Sequence, residues 1–187
     1  MEINKYLEVL HTINRLKDTT RHCYTPGGRH ESVAEHSWRI TMMAFFLRDE
    51  FKDVDFDKVI KMCLIHDIGE VFTGDIPSFD KSKADESKEE SLLTDWVNSL
   101  PEPYKTEMTE LYAEMDARET TEARIYKALD NLEAVISHNE SDLSTWIEKE
   151  FTLNITYGED KCAFSDYLTR FRALVRKETE EKIAKER

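Results

Sequence analysis

Several features that would place a chain outside the cytosol, in a membrane or on nucleic acid are missing. There are only three cysteines, Cys23, Cys63 and Cys162, odd in number, widely separated and without a CxxC pair. Neither a disulfide framework nor a thiolate zinc site is therefore expected. The longest apolar run, Met42 to Leu47, is six residues, far short of the ~20 that span a bilayer. No basic segment leads into an apolar stretch near the N-terminus, as an export signal would require. These absences predict a cytoplasmic protein with no membrane partner. Clustered positive charge is missing too. The formal net charge is −13, and basic residues such as Lys81, Lys83, Lys88 and those from Lys177 to Arg187 stand singly or among acids. Such a field repels a phosphate backbone, so no nucleic-acid partner is expected.

What remains is helical. At 187 residues, 40% apolar and 35% charged, the chain is sized for one domain with a self-sufficient core. Helix formers outnumber strand-favouring runs, nothing forces a strand, and no repeat is visible. The expected fold is all-α, a single compact helical bundle over 1–187, with a core at about 21–139 and C-terminal helices over 144–187 packed on it. Apolar residues recur at helical spacing, as in Val33, Ile40, Ala44, Leu47 and Phe51 or Ile125, Leu129, Leu132 and Ile136. The pattern predicts helices from Ile3 to Lys17, Val33 to Phe51, Asp57 to Phe72, Glu86 to Ser99, Glu102 to Met115, Thr121 to Asn139, Ser144 to Leu153 and Lys161 to Lys185. Ser32 and Glu35 read as a capping box. Gly27-Gly28 reads as a turn, and Gly74-Asp75-Ile76-Pro77 as a helix stop opening a polar loop.

The chemistry concentrates at His66-Asp67. Val59, Met62, Cys63 and His66 form one helical stripe, so the histidine is expected to point inward, with Asp67 about 100° round the helix. Glu70 extends that wall by a turn. An isolated His-Asp pair is more often a buried histidine and its hydrogen-bonded neighbour. His36, on an apolar face between Val33 and Ile40, and Asp130, one place off the stripe of its own helix, alter that balance. A carboxylate at a core margin needs a partner or a cation, because a desolvated lone charge costs several kcal/mol or more. Imidazoles mixed with carboxylates suit one divalent transition ion, Mn, Fe, Co, Ni or Zn, better than Ca or Mg. Four protein donors would leave room for a water, and hydrolysis of a phosphate ester is the chemistry such a site suits. The cation would also supply the positive charge that this acidic chain needs to receive a phosphate.

In order and spacing, His36, His66-Asp67 and Asp130 resemble the H…HD…D pattern of the HD-domain superfamily of metal-dependent phosphohydrolases. Arg21, Glu31 to Ser37, His66 to Glu70 and Thr73 to Pro77 extend the likeness to the 5'-deoxynucleotidase branch. The resemblance implies a metal held by His36, His66, Asp67 and Asp130, catalytic roles for Glu70 and Asp75 as acid and base in either order, and a phosphate clamp at Arg21. It also implies a homodimer, for which Trp146, Phe151 and Phe164 on the late helices are candidate contacts unless they cap the domain's own core. One position departs: His22 stands where the pattern carries a tryptophan beside the sugar, so sugar selectivity stays open. His11, His30 and His138 lack partners at ligand spacing. The expected activity is hydrolysis of (deoxy)nucleoside 5'-monophosphates to nucleoside and phosphate. The alternatives are a phosphodiesterase, a nucleoside triphosphate hydrolase, or a non-catalytic nucleotide- or metal-binding module.

Overall fold

A computed structural model describes residues 1–186. Ten α-helices among the described residues run in the order α1 Ile3–Asn14, α2 Val33–Leu47, α3 Phe56–Ile65, α4 Glu70–Thr73, α5 Lys83–Asn98, α6 Tyr104–Ala117, α7 Thr121–Glu140, α8 Glu150–Thr156, α9 Glu159–Cys162 and α10 Asp166–Glu186. The helices α2, α3 and α7 pack on one another, and α10 covers α7, α8 and α9. Their shared core includes Ile40, Ala44, Val59, Met62, Leu129, Leu132, Leu168 and Val175. Each large aliphatic side chain buried there contributes about 1.5–3 kcal/mol of transfer free energy. A smaller cluster, Leu16, Val33, Ile68 and Val71, seats α4 and the start of α2.

Helix α2 starts where its sequence says it should. Ser32 Oγ accepts from the Glu35 N–H at 3.3 Å, and the Glu35 carboxylate accepts from the Ser32 N–H at 2.9 Å. Thr120 caps α7 in the same manner, its hydroxyl accepting from the Ala123 N–H at 3.2 Å. Both ends satisfy N–H groups that a helix otherwise leaves unpaired.

The structure departs from the sequence reading in three places. An antiparallel strand pair is present, β1 Thr20–Tyr24 and β2 His30–Ser32, where none was expected. It is short, irregular in register and only partly alternating in burial, so it leaves little period-two signal. Gly28, at φ 81°, turns the hairpin, and the Val33 N–H bonds the Thr19 carbonyl at 2.9 Å, which joins the pair to α2. Second, the helix expected to reach Phe72 ends at Ile65. Through His66 to Gly69 the backbone tightens to three-residue bonds, Ile68 N–H to Ile65 O and Glu70 N–H to Asp67 O, both 3.1 Å. Gly69 also lets α5 close in, since a Cβ there would lie 2.9 Å from Glu89 Cγ. Third, the late helices differ: Leu143–Thr145 is a single 3-10 turn before α8, and α9 and α10 replace one continuous helix. Of the two readings left open for the late aromatics, the structure takes core capping: Trp146 is buried, its indole N–H donating to the His138 carbonyl at 3.0 Å, and Phe164 packs against the core under Arg124. Phe151 is half-buried against the Trp146 ring. These side chains close the chain's own core and form no open apolar face.

Candidate active site

Three helices deliver the side chains singled out by the sequence. His36 comes from the fully buried face of α2, His66 and Asp67 from the tightened turn after α3, and Asp130 from the middle of α7. His36 Nε2 stands 3.2 Å from His66 Nε2, 3.8 Å from Asp67 Oδ2 and 3.3 Å from Asp130 Oδ1. His66 Nε2 is 2.9 Å from Asp67 Oδ2 and 3.9 Å from Asp130 Oδ1. Donors about 2.1 Å from a single ion lie roughly 3.0–3.4 Å from one another; His36, His66 and Asp67 form a group compact enough for one cation, and Asp130 stands beside it through its approaches to the two histidines.

The outer ring nitrogens explain why both Nε2 atoms face inward. His66 Nδ1–H donates to the Cys63 carbonyl at 3.0 Å, and His36 Nδ1–H donates to Glu133 Oε2 at 2.5 Å. With the Nδ1 protons engaged, the Nε2 lone pairs are presented to the centre, the tautomer a metal ligand needs. Lys127 holds the far oxygen of Asp130 at 2.7 Å, leaving Oδ1 toward the histidines. Burial acts to raise Asp130, but Lys127 and His36 hold its carboxyl well below the usual range. Burial likewise opposes ionisation of Asp67, whereas His66 and His36 bring it down to about 2. Burial and Arg21 act to lower the His36 imidazole, yet Glu133 and Asp130 prevail and raise it to about 9. In the metal-free protein His36 therefore carries a proton beside the ionised Asp67 and Asp130, and an ion must displace that proton to reach Nε2.

Glu133 was not singled out from the sequence, although it left a signal. It occupies the third place of the stripe Leu129, Leu132, Glu133 and Ile136, where a carboxylate does not belong without partners, and it is fully buried. Besides His36, its carboxylate accepts from Ser137 Oγ at 2.6 Å and lies 3.8 Å from Arg39 and 4.0 Å from Arg21. Glu31, His36 and Glu133 also bring three donor atoms together. Arg21, 3.6 Å from Glu31, and Arg39 already balance those carboxylates, so this group reads as an ion-pair network that orients His36.

A cavity of about 910 Å³ opens over the cluster. Arg21, His22, His66, Asp67, Glu70, Asp75 and Asp130 line it, with His36 beneath. The contacts of Arg21 with Glu31 and Glu133 are longer than hydrogen bonds, which leaves its planar N–H donors to the cavity. Burial acts against the Arg21 cation, but Cys23, Glu133, Asp67 and Glu31 keep it charged. Glu70 is buried and pushed up to about 11, first by desolvation and then by Asp67 and Asp75. Asp75 follows Gly74, at φ 78°, and is raised mainly by burial, although Arg21 and hydrogen bonds from Glu70 and the His22 N–H oppose the shift. Two carboxyls so placed hold one proton between them near neutrality. Lys81, paired with Glu89 at 2.8 Å, adds a cation to the same rim. Acidic side chains still outnumber basic ones along the cavity, so Arg21 and Lys81 are local cations in a lining that shares the chain's negative charge.

His138, which seemed partnerless along the chain, lines this cavity with His22 and Glu150. His11 is exposed, and His30 stacks on Tyr24 at 4.1 Å, away from the centre. Among the described residues, no helix is long and apolar enough to cross a membrane.

Comparisons with known proteins agree with the helical frame. Human 5'-deoxynucleotidase HDDC2 is 30% identical over 138 residues, covering 72% of this chain and 67% of that protein. A protein described as 5'-deoxynucleotidase hdd1, from Schizosaccharomyces pombe, is 27% identical over 158 residues, with coverage of 75% and 79%. A crystal structure described as a "Predicted metal-dependent phosphohydrolase" from Magnetospirillum magnetotacticum superposes with a TM-score of 0.78 at 28% identity, covering 95% of this chain and 92% of that one. The HD-domain profile matches residues 13–170. The chain belongs to the HD-domain family.

Proposed function

We propose that this HD-domain chain, a metal-dependent phosphohydrolase, hydrolyses nucleoside 5'-monophosphates to nucleoside and inorganic phosphate. The observation that carries the reading is the pair of inward-facing Nε2 atoms, 3.2 Å apart, with Asp67 and Asp130 beside them on the cavity floor. His36, His66, Asp67 and Asp130 would hold one divalent first-row ion. When bound, such an ion lowers the pKa of water and withdraws charge from a phosphoryl oxygen.

The remaining work belongs to the chain. Arg21 receives the phosphoryl oxygens with paired N–H donors and balances charge that grows on them. The Glu70 and Asp75 pair holds a single proton, which the higher pKa places on Glu70; the pair passes it to the departing 5' oxygen, and the carboxylates left behind accept one from the attacking water. Lys127 keeps Asp130 turned to the centre, and Glu133 does the same for His36. The names of the 5'-deoxynucleotidase relatives support a nucleotide substrate.

We place the protein in the cytoplasm as a homodimer, without a nucleic-acid or membrane partner. Exposed Trp38 and Phe46 beside an apolar groove of about 560 Å³ support self-association, which light scattering on a sizing column tests. The activity is tested on chelator-stripped protein reloaded with Mn, Co, Fe, Ni or Zn and offered dAMP, AMP, a cyclic nucleotide and dATP. Metal-dependent phosphate release from the monophosphates is expected. Product only from the diester or the triphosphate rejects the assignment.

A further inference from the structure

One cation of the cavity has no part in the proposed reaction. Among the described residues, the lysine and arginine side chains lining the cavity are Arg21, Lys81, Arg118 and Lys127. Lys127 is committed to Asp130 at 2.7 Å, Arg118 ends α6 beside Asp116, and Arg21 is assigned to the phosphoryl group. Lys81 remains. Its ammonium lies 2.8 Å from Glu89 Oε2, and its side chain is 20% exposed. Glu89 also accepts from Thr73 Oγ1 at 3.2 Å and packs over Gly69, where a Cβ would meet its Cγ at 2.9 Å. The pair therefore stands against the turn that carries His66 and Asp67 and leads into Glu70. Burial acts to lower the Lys81 ammonium, but Glu89 outweighs it and Glu70 and Asp67 add to the effect, so the charge is kept.

The charge balance of the site says what such a cation is for. A phosphate monoester carries about −1.5 to −2 near pH 7, because its second pKa is about 6. A diester carries a single negative charge. A divalent ion held by Asp67 and Asp130 would be balanced by those two carboxylates, which leaves Arg21 to meet the phosphoryl group with one positive charge. The second charge of a monoester then faces a mostly acidic lining unless another cation reaches it. Lys81 lies beyond Asp75 on the segment between α4 and α5, and an ammonium offers three donors on a flexible four-carbon stem. Glu89 is its one ion-pair partner among the described residues. A free donor can thus take a phosphoryl oxygen while Thr73 still holds Glu89.

We propose that Lys81 is a second phosphoryl-binding cation of this site and that it selects dianionic phosphate monoesters over monoanionic diesters. The position of the phosphoryl group, between Arg21 and the metal ligands, is taken from the monophosphate reading, on which this assignment rests. The two ends of the ion pair then act in opposite directions: Lys81 attracts the anion, and Glu89 competes with the anion for the ammonium. A lysine that only fastened its segment to α5 would make both ends act alike, since losing either one would break the same contact.

Equilibrium binding tests this without turnover. Inorganic phosphate, a dianion at pH 8, and dimethyl phosphate, a monoanion, are titrated calorimetrically into Mn²⁺-loaded wild type, Lys81→Met, Lys81→Arg and Glu89→Gln, each checked for folding by its melting temperature. Phosphate release from AMP and dAMP is measured in parallel. Wild type should bind phosphate at least about tenfold more tightly than dimethyl phosphate. Lys81→Met should lose at least about tenfold on phosphate and under about threefold on dimethyl phosphate, and Lys81→Arg should stay within about threefold of wild type. Glu89→Gln should bind phosphate at least about twofold more tightly, and it decides the matter should Lys81→Met not fold. Weaker phosphate binding in both Lys81→Met and Glu89→Gln, equal losses on the two anions, no loss in Lys81→Met, or no phosphate binding by wild type overturns the assignment. Phosphate binding that depends on Lys81, without phosphate release from either monophosphate, would instead overturn the monophosphate reading and leave the Lys81 site standing.

Discussion

The proton on His36 makes metal capture pH-dependent in a way that can be calculated. Without an ion, burial and Arg21 act to lower that imidazole, but Glu133 and Asp130 outweigh them and raise it from 6.5 to about 9. An ion that takes Nε2 must expel the proton. The proton is bound in the free state and absent in the loaded state, so affinity climbs with pH until about 9 and is flat above. At pH 7, two pH units below, the competition weakens binding about 100-fold, or about 2.7 kcal/mol. Calorimetric titration of Mn²⁺ into chelator-stripped protein in Pipes and in Tris, whose ionisation heats differ, should report close to one proton released per ion at pH 7. Apparent affinity should rise about tenfold per pH unit between 6.5 and 8.5. Glu133→Gln removes the strongest upward influence on His36 and should flatten that slope. It should also cost about 10–100-fold in affinity at high pH, because the ring loses the partner that aims it. The same raised pKa bears on stability: its contribution to the metal-free fold is complete below 6.5 and is lost as pH rises through 9, so the metal-free protein should melt lower at pH 9 than at pH 6.5 while the loaded protein does not. Pure proton-free binding with pH-independent affinity in the wild type would refute the reasoning.

Three other outcomes follow from named contacts. Asp67→Ala removes the carboxylate nearest His66 and should lower bound metal and phosphate release together, by more than tenfold each in metal analysis and rate; full metal and full activity would mean that the ligand assignment is wrong. Leu129→Ala, in a side chain 1% exposed at the centre of α7, should cost about 2–5 kcal/mol in urea unfolding with an unchanged slope. Ser32→Ala breaks the capping box of α2 and should cost about 0.5–2 kcal/mol by the same assay.

What was readable along the chain, and what was not, divides by the range of the interactions. The capping box of α2, the stripe that turns Met62 and Cys63 inward and the long run of α7 are local patterns, and each is present where its spacing puts it. The hairpin was not readable, because strands of five and three residues with irregular register are held by pairing across a turn and scarcely by alternation. The break at His66 to Gly69 was hidden for a related reason: the close approach of Glu89 from α5 decides where that backbone tightens.

The candidate site shows the same division. Residue types and their order along the chain sufficed to nominate His36, His66, Asp67 and Asp130, since imidazoles and carboxylates on apolar helix faces need partners wherever the helices go. Only the packing of α2 against α3 and α7 decided that Asp67 and Asp130 each approach both histidines within 4 Å and that Glu133 takes the proton side of His36. Only the tertiary structure, too, laid α8 beside β1 so that Glu150 faces His22 and His138 across a cavity wall. Helical periodicity is written into neighbouring residues. The meeting of side chains far apart in sequence is fixed by how whole helices dock, and no local spacing encodes it.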